Sequence, residues 1–127
     1  MSERLRTIVE AMGIRPGDLV LEIGCGHGLA ATLICEKLTT GRLVAIDRSK
    51  KMIDAAIRRN RKYIEGASAE FHLADVLKFD PGPRRFDKIL AVRVGLFHRG
   101  DHAAKARRHI HKWLKRGGQL FLVYDEP

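Results

Sequence analysis

Two acids and a set of alternating glycines stand where they could hold a nucleotide-type ligand. Val20-Leu21-Glu22-Ile23 is an apolar run carrying one acid, and Gly24, Gly26 and Gly28 follow it with Cys25 and His27 between them. The apolar run reads as a buried strand. Glycines directly behind it read as a tight turn in which backbone comes close to a ligand, because no Cβ stands in the way. A helical pattern follows, from about 28 to 38. Strand, glycine turn and helix make a pocket at the carboxyl end of a parallel strand. The next apolar run, Leu43-Val44-Ala45-Ile46, ends in Asp47, about 20 residues past the glycines. An acid at that strand tip is placed to accept from both hydroxyls of a ribose.

Glycine spacing separates the cofactor classes that use this layout. The dinucleotide fingerprint is G-x-G-x-x-G or G-x-G-x-x-A. Gly24 and Gly26 fit it, but Leu29 occupies the third site and the third glycine comes one residue early, at Gly28. With Glu22 the pattern becomes E-x-G-x-G-x-G. This resembles the first motif of class I S-adenosylmethionine (SAM) methyltransferases. The resemblance extends over nearly the whole chain, through Asp18-Leu19-Val20, Val44-Ala45-Ile46-Asp47, Leu73-Ala74-Asp75-Val76, Phe86-Asp87-Lys88-Ile89 and Leu114-Lys115-Arg116-Gly117-Gly118-Gln119-Leu120.

The resemblance implies a set of roles. The Gly24 carbonyl would meet the methionine ammonium of SAM, with Glu22 supporting the loop from beneath. Arg48 and Met52 would flank the adenine, Asp75 would accept from its exocyclic amine, and the Val76 amide would donate to the ring. Asp75 also reads as a turn or helix cap. The stretch from Val92 to His98 would border the transferable methyl, which makes His98 the candidate general base. A packed, non-catalytic His98 is the competing reading. Cys25 reads as a small packed residue rather than a nucleophile, and His27 as a loop residue beside the methionine moiety. S-adenosylhomocysteine (SAH) would be the product. No histidine and cysteine cluster has zinc-ligand spacing, so no metal is expected.

These residues need elements to hold them. The apolar pattern predicts helices over 3–12, 28–38, 50–61 and 101–114 and strands over 19–23, 42–46, 69–73, 88–92 and 119–124, with Gly117-Gly118 ending the last helix. Pro81-Gly82-Pro83 argues against a regular helix over 75–85. Alternating strands and helices predict an α/β fold with a doubly wound parallel sheet. The resemblance implies a Rossmann-like, three-layer α/β/α form with strand order 3-2-1-4-5, in one domain over 1–127. Members of that family usually continue past strand five with a helix and an antiparallel hairpin. Leu120-Phe121-Leu122-Val123 is then expected to be an open apolar edge. Homodimerisation, cover by another segment, or a longer natural chain would resolve it, and the Asp125-Glu126-Pro127 tail could itself blunt the edge.

The chain has 127 residues, a net charge of +9, 45% hydrophobic residues and two cysteines. No apolar run approaches the roughly 20 residues of a membrane span. Met1-Ser2-Glu3-Arg4 reads as leading into a mixed-charge helix rather than a signal peptide. Two cysteines without a disulfide framework fit a reducing cytoplasm. The charge gathers at 58–62 and 105–116, where it reads as solvated helix faces, since few aromatics interleave it. The leading expectation is a SAM-dependent methyltransferase acting on a small-molecule acceptor. Leu90-Ala91-Val92-Arg93 replaces any Asn-Pro-Pro-Tyr type motif, which argues against amino-directed adenine or glutamine methylation. The alternatives are a non-catalytic SAM- or SAH-binding module and, on charge alone, a nucleic-acid methyltransferase. Leu29 argues against a dinucleotide oxidoreductase.

Overall fold

The computed structural model describes residues 3–124. Its strands are β1 (Leu19–Ile23), β2 (Arg42–Asp47), β3 (Ala69–Leu73), β4 (Phe86–Val92) and β5 (Leu114–Val123). Its helices are α1 (Glu3–Ala11), α2 (Leu29–Cys35), α3 (Lys50–Arg59), α4 (Arg61–Glu65) and α5 (Ala103–His111), with a 3-10 turn at Gly95–Phe97. The strands form one sheet of order β3-β2-β1-β4-β5, parallel throughout. Order reverses between β1 and β4, so a crevice opens beyond their carboxyl ends.

Side chains alternate across the sheet. Val20, Leu43, Ala45 and Leu90 pack beneath α1, α2 and α3, against Val9, Met12, Ile34 and Ile53. Leu21, Ile23, Val44, Ile46 and Ile89 face the other way, against Phe97, Ala106, Ile110 and Trp113. Central strands are therefore covered on both sides, which is why they read as continuous apolar runs. The result is the expected three-layer α/β/α arrangement. Asp18 and Lys88 form a buried ion pair of 3.2 Å at the amino ends of β1 and β4. The Leu19 amide donates to Asp87 Oδ2 at 2.8 Å, a second tie between the same strands. As expected, no helix bridges β3 and β4; Phe79 instead lies edge-on to Trp113, ring centroids 5.7 Å apart.

Several element boundaries depart from the sequence expectation: α2 ends at Cys35 rather than 38, β4 begins at Phe86 rather than 88, and three further differences bear on how the site and sheet are built. The third helix stops at Arg59, and a second turn, α4, restarts at Arg61. Between them Asn60 is fully buried, and its amide nitrogen donates to the carbonyls of Gly28 and Ala56, both at 3.0 Å. The last helix ends at His111 rather than Leu114. There the Phe86 amide donates to the Trp113 carbonyl at 2.8 Å, so sheet pairing takes over from the helix. Gly117-Gly118 therefore does not end a helix; it lies within β5, where the register jumps from Phe86↔Leu114 to Lys88↔Gln119. A Cβ on Gly118 would stand 2.9 Å from the carbonyls of Lys115 and Phe86, so the bulge needs glycine. Asp125, Glu126 and Pro127 lie outside the described residues.

Candidate active site

The glycine loop is built on the end of β2. Gly24 and Cys25 amides donate to the Ile46 carbonyl at 2.9 and 3.0 Å. The Gly26 amide donates to Asp47 Oδ2 and the Ser49 amide to Asp47 Oδ1, each at 2.9 Å. One carboxylate thus joins the loop, the strand tip and the start of α3, where Ser49 caps the helix by accepting from the Met52 amide. All three loop glycines have positive φ. Their Cβ positions separate their roles. At Gly26 a Cβ would meet nothing within 4 Å, so that flank is open. At Gly28 it would lie 2.6 Å from Asn60 Nδ2 and 3.0 Å from the Ala56 backbone. Gly28 therefore lets α3 close against the loop rather than giving access to a ligand.

Two cavities flank the loop. A cavity of ≈ 280 Å³ is lined by Glu22, Gly24, Cys25, Gly26 and His27, with Leu5 and Ile8 contributed by α1. A larger one of ≈ 430 Å³ is lined by Asp47, Arg48, Asp75, Val76, Val94 and Leu96 among others. Gly24, Val92 and Arg93 line both, so the two adjoin across the carboxyl ends of β1 and β4.

Glu22 is 3% exposed and its Oε1 has no hydrogen-bond partner among the described residues. Burial, reinforced by the charge of Asp47, pushes its carboxyl up to about 8. It is a buried acid held largely neutral beside a cavity, and a cation placed next to it would favour its ionised form. Cys25 is buried, and burial followed by the charges of Glu22 and Asp47 drives its thiol far up, so it is no nucleophile. Asp75 is exposed on the rim and caps its own turn, Oδ1 accepting from the Leu77 amide at 2.9 Å.

The structure gathers most of the sequence-derived set here, but not all. Met52 is half-buried in the first turn of α3 and lines neither cavity. His98 ends the 3-10 turn and also lines neither; its ring stacks on Tyr124 at 4.8 Å and its Nε2 is buried without a partner among the described residues. It sits as a packed residue. Three contributors were not read from the sequence. Leu5 and Ile8 looked like ordinary core positions of an amphipathic helix. Asn60, which accepts from Thr32 Oγ1 at 2.6 Å and holds the end of the loop, looked like one more polar residue of a helix face. A buried asparagine gives no periodic signal. Arg93, at the end of β4, has φ of 57°, an uncommon conformation for a residue with a Cβ, and its amide donates to the Val123 carbonyl at 2.7 Å.

Residues 20–118 match the family model described as a methyltransferase domain. Phosphoethanolamine N-methyltransferase 1 of Arabidopsis thaliana is 34% identical over 120 residues, which is 94% of this chain and 23% of that protein. Sterol 24-C-methyltransferase ERG6 of Saccharomyces cerevisiae is 33% identical over 116 residues, 89% of this chain and 28% of that protein. The chain thus spans about a quarter of the length of these curated relatives. A SAM-dependent methyltransferase from Thiobacillus denitrificans, solved with SAH, superposes with a TM-score of 0.77 at 20% identity, over 96% of this chain and 48% of that one. That likeness speaks for the fold alone. The family match, over a segment running from β1 into β5, agrees with the glycine loop and sheet order found here: the chain belongs to the methyltransferase-domain family.

Proposed function

We propose that this chain is a SAM-dependent methyltransferase domain that acts on a small-molecule acceptor. The observation that carries the reading is the pair of cavities meeting at Gly24, Val92 and Arg93, with Glu22 in one and Asp47 in the other. The residues present fit the cofactor. Glu22 lines the first cavity, its buried Oε1 without a partner among the described residues, and would face an ammonium there. Asp47 spends one bond per oxygen on backbone and keeps further lone pairs for ribose hydroxyls. Gly26 leaves its flank open. Arg48, Asp75 and Val76 line the adenosine side.

When bound, SAM supplies the electrophile, a methyl group on a sulfonium. The protein's part is to orient and to exclude water. Glu22 and the Gly24 carbonyl hold the methionine end. Asp47 would hold the ribose. Val92, Arg93 and Val94 wall the side from which an acceptor approaches. His98, stacked on Tyr124 and outside both cavities, is not assigned as the base.

The named relatives are a phosphoethanolamine N-methyltransferase and a sterol 24-C-methyltransferase, and these support a small organic acceptor here. Two free, buried cysteines support a reducing, cytoplasmic setting. Titration calorimetry with SAM, SAH and NAD tests the cofactor, and transfer of labelled methyl to small-molecule pools tests the reaction. SAM and SAH are expected to bind and NAD to bind far more weakly. Tighter NAD binding overturns the assignment, and SAM binding with no transfer to any pool leaves a binding module.

A further inference from the structure

A third cavity lies away from the glycine loop, on the sheet face that carries α5. It measures ≈ 340 Å³ and is lined by Leu77, Leu96, His102, Lys105, Ala106 and His109. It exists because residues 74–85 form no helix, leaving that flank of α5 uncovered and Leu77 51% exposed. Lys105, Ala106 and His109 recur at helical spacing, so α5 presents them on one face, with His102 at its N-cap. No acid is among the lining residues. His109 stands edge-on to Trp113, centroids 5.1 Å apart, and its Nε2 is buried without a partner among the described residues. The volume is in the range of small-molecule sites, about 300–1,000 Å³.

We propose that this groove is a second small-molecule site, for an amphipathic anion with an apolar chain ending in a carboxylate. The chain lies along Leu77, Leu96 and Ala106. The carboxylate meets the Lys105 ammonium, with His102 as a further donor. Leu96 also lines the larger of the two cavities at the glycine loop, so the two sites share a wall. The assignment does not rest on the methyltransferase reading, because the glycine loop and Asp47 take no part in it.

Octanoate is the probe, titrated into the full chain at fixed ionic strength and followed by NMR and calorimetry. Saturable one-to-one binding is expected, with the largest shifts at Leu77, His102, Lys105 and His109. Lys105→Glu and Leu77→Glu replace exposed side chains, so folding is expected to persist. Each should weaken octanoate by about tenfold or more, the worth of one charge-assisted contact, while SAH binding stays unchanged. Octylamine should show no saturable binding. The proposal is overturned by absent octanoate saturation, by equal binding in Lys105→Glu, by octylamine binding as tightly, or by shifts centred on the glycine loop. Binding only to anionic lipid vesicles, and not to free octanoate, overturns it in favour of a membrane surface. Failure of SAH to bind the parent chain sinks the cofactor reading and leaves the octanoate result standing.

Discussion

Glu22 is where protonation and ligand binding meet. Its carboxyl is raised to about 8 in the folded chain, by burial first and by Asp47 second, from an ordinary 4.5. Between those values the folded state holds a proton that the unfolded chain has released. The contribution of Glu22 to stability is therefore fully present below about pH 4.5 and is lost as pH rises through about 8. Glu22→Gln, which stays neutral, should remove that loss, with a gain reaching roughly 5 kcal/mol at most. Urea melts of both proteins from pH 5 to pH 9 check it; parallel pH profiles would show that Glu22 carries no such proton. An ammonium beside Glu22 favours its ionised form, so SAM affinity should rise towards pH 8 in the parent and stay flat in Glu22→Gln. Asp47→Ala tests the ribose contact. Charge-assisted hydrogen bonds contribute about 1.5–3 kcal/mol each, so SAH affinity should fall by about tenfold or more. Because Asp47 also receives the Gly26 and Ser49 amides, some folding stability should go with it. An affinity within about twofold of the parent would free Asp47 from that role, since one such bond is worth far more.

At the scale of elements, α3 reaches the glycine loop through Gly28 and Asn60. Gly28 has φ of +90° and no room for a methyl beside Asn60 and Ala56. Gly28→Ala should destabilise the fold by about 1–3 kcal/mol, from overpacking and left-handed backbone together. Denaturant unfolding reads this, and a change below about 0.5 kcal/mol, ordinary for a surface substitution, would show that α3 yields easily. At the far edge of the sheet, Glu70 of β3 accepts from Arg42 and Arg84 at 2.9 Å each and contacts His72 at 2.6 Å. Burial opposes its ionisation, but the hydrogen bonds from Arg84, His72 and Arg42 prevail and hold the carboxyl at about 2. A lowered value stabilises above the ordinary 4.5 and fades as pH falls towards 2. Glu70→Gln should flatten that part of the acid unfolding curve, and an unchanged curve would place the acid transition elsewhere.

For the molecule as a whole, the open side is β5. Among the described residues it pairs with β4 alone, and Leu120, Phe121, Leu122 and Val123 are only half-buried. An unpaired strand is a template for another chain, and a two-fold dimer is the commonest closed form. Sedimentation over a concentration series should show self-association; a strict monomer at high concentration would mean the edge is covered within the chain. The net charge of +9 is carried by side chains such as Arg58, Arg59, Arg61, Lys62, Lys105 and Arg108, all exposed. Nucleic-acid binding through them should be weak and collapse with added salt. A tight complex persisting at high salt would restore the nucleic-acid reading.

Much of this was legible without coordinates, for local reasons. The glycine loop, the strand tip at Asp47 and the proline-broken stretch after Asp75 are set by residue type within a few positions. Period and spacing therefore placed β1 and β2 nearly to the residue. Other features depended on distant partners. Asn60 splits a helix because Gly28 and Thr32 lie opposite it. Leu114 joins a strand because Phe86 pairs with it. Leu5 and Ile8 line a cavity because α1 packs against α2 beside the glycine loop, and the His98 ring stacks on Tyr124, outside both cavities. The state of Glu22 is decided by burial and by a charge 25 residues away in sequence. Sequence determines what a segment prefers; only tertiary packing decides which groups lose water and which partner each one meets.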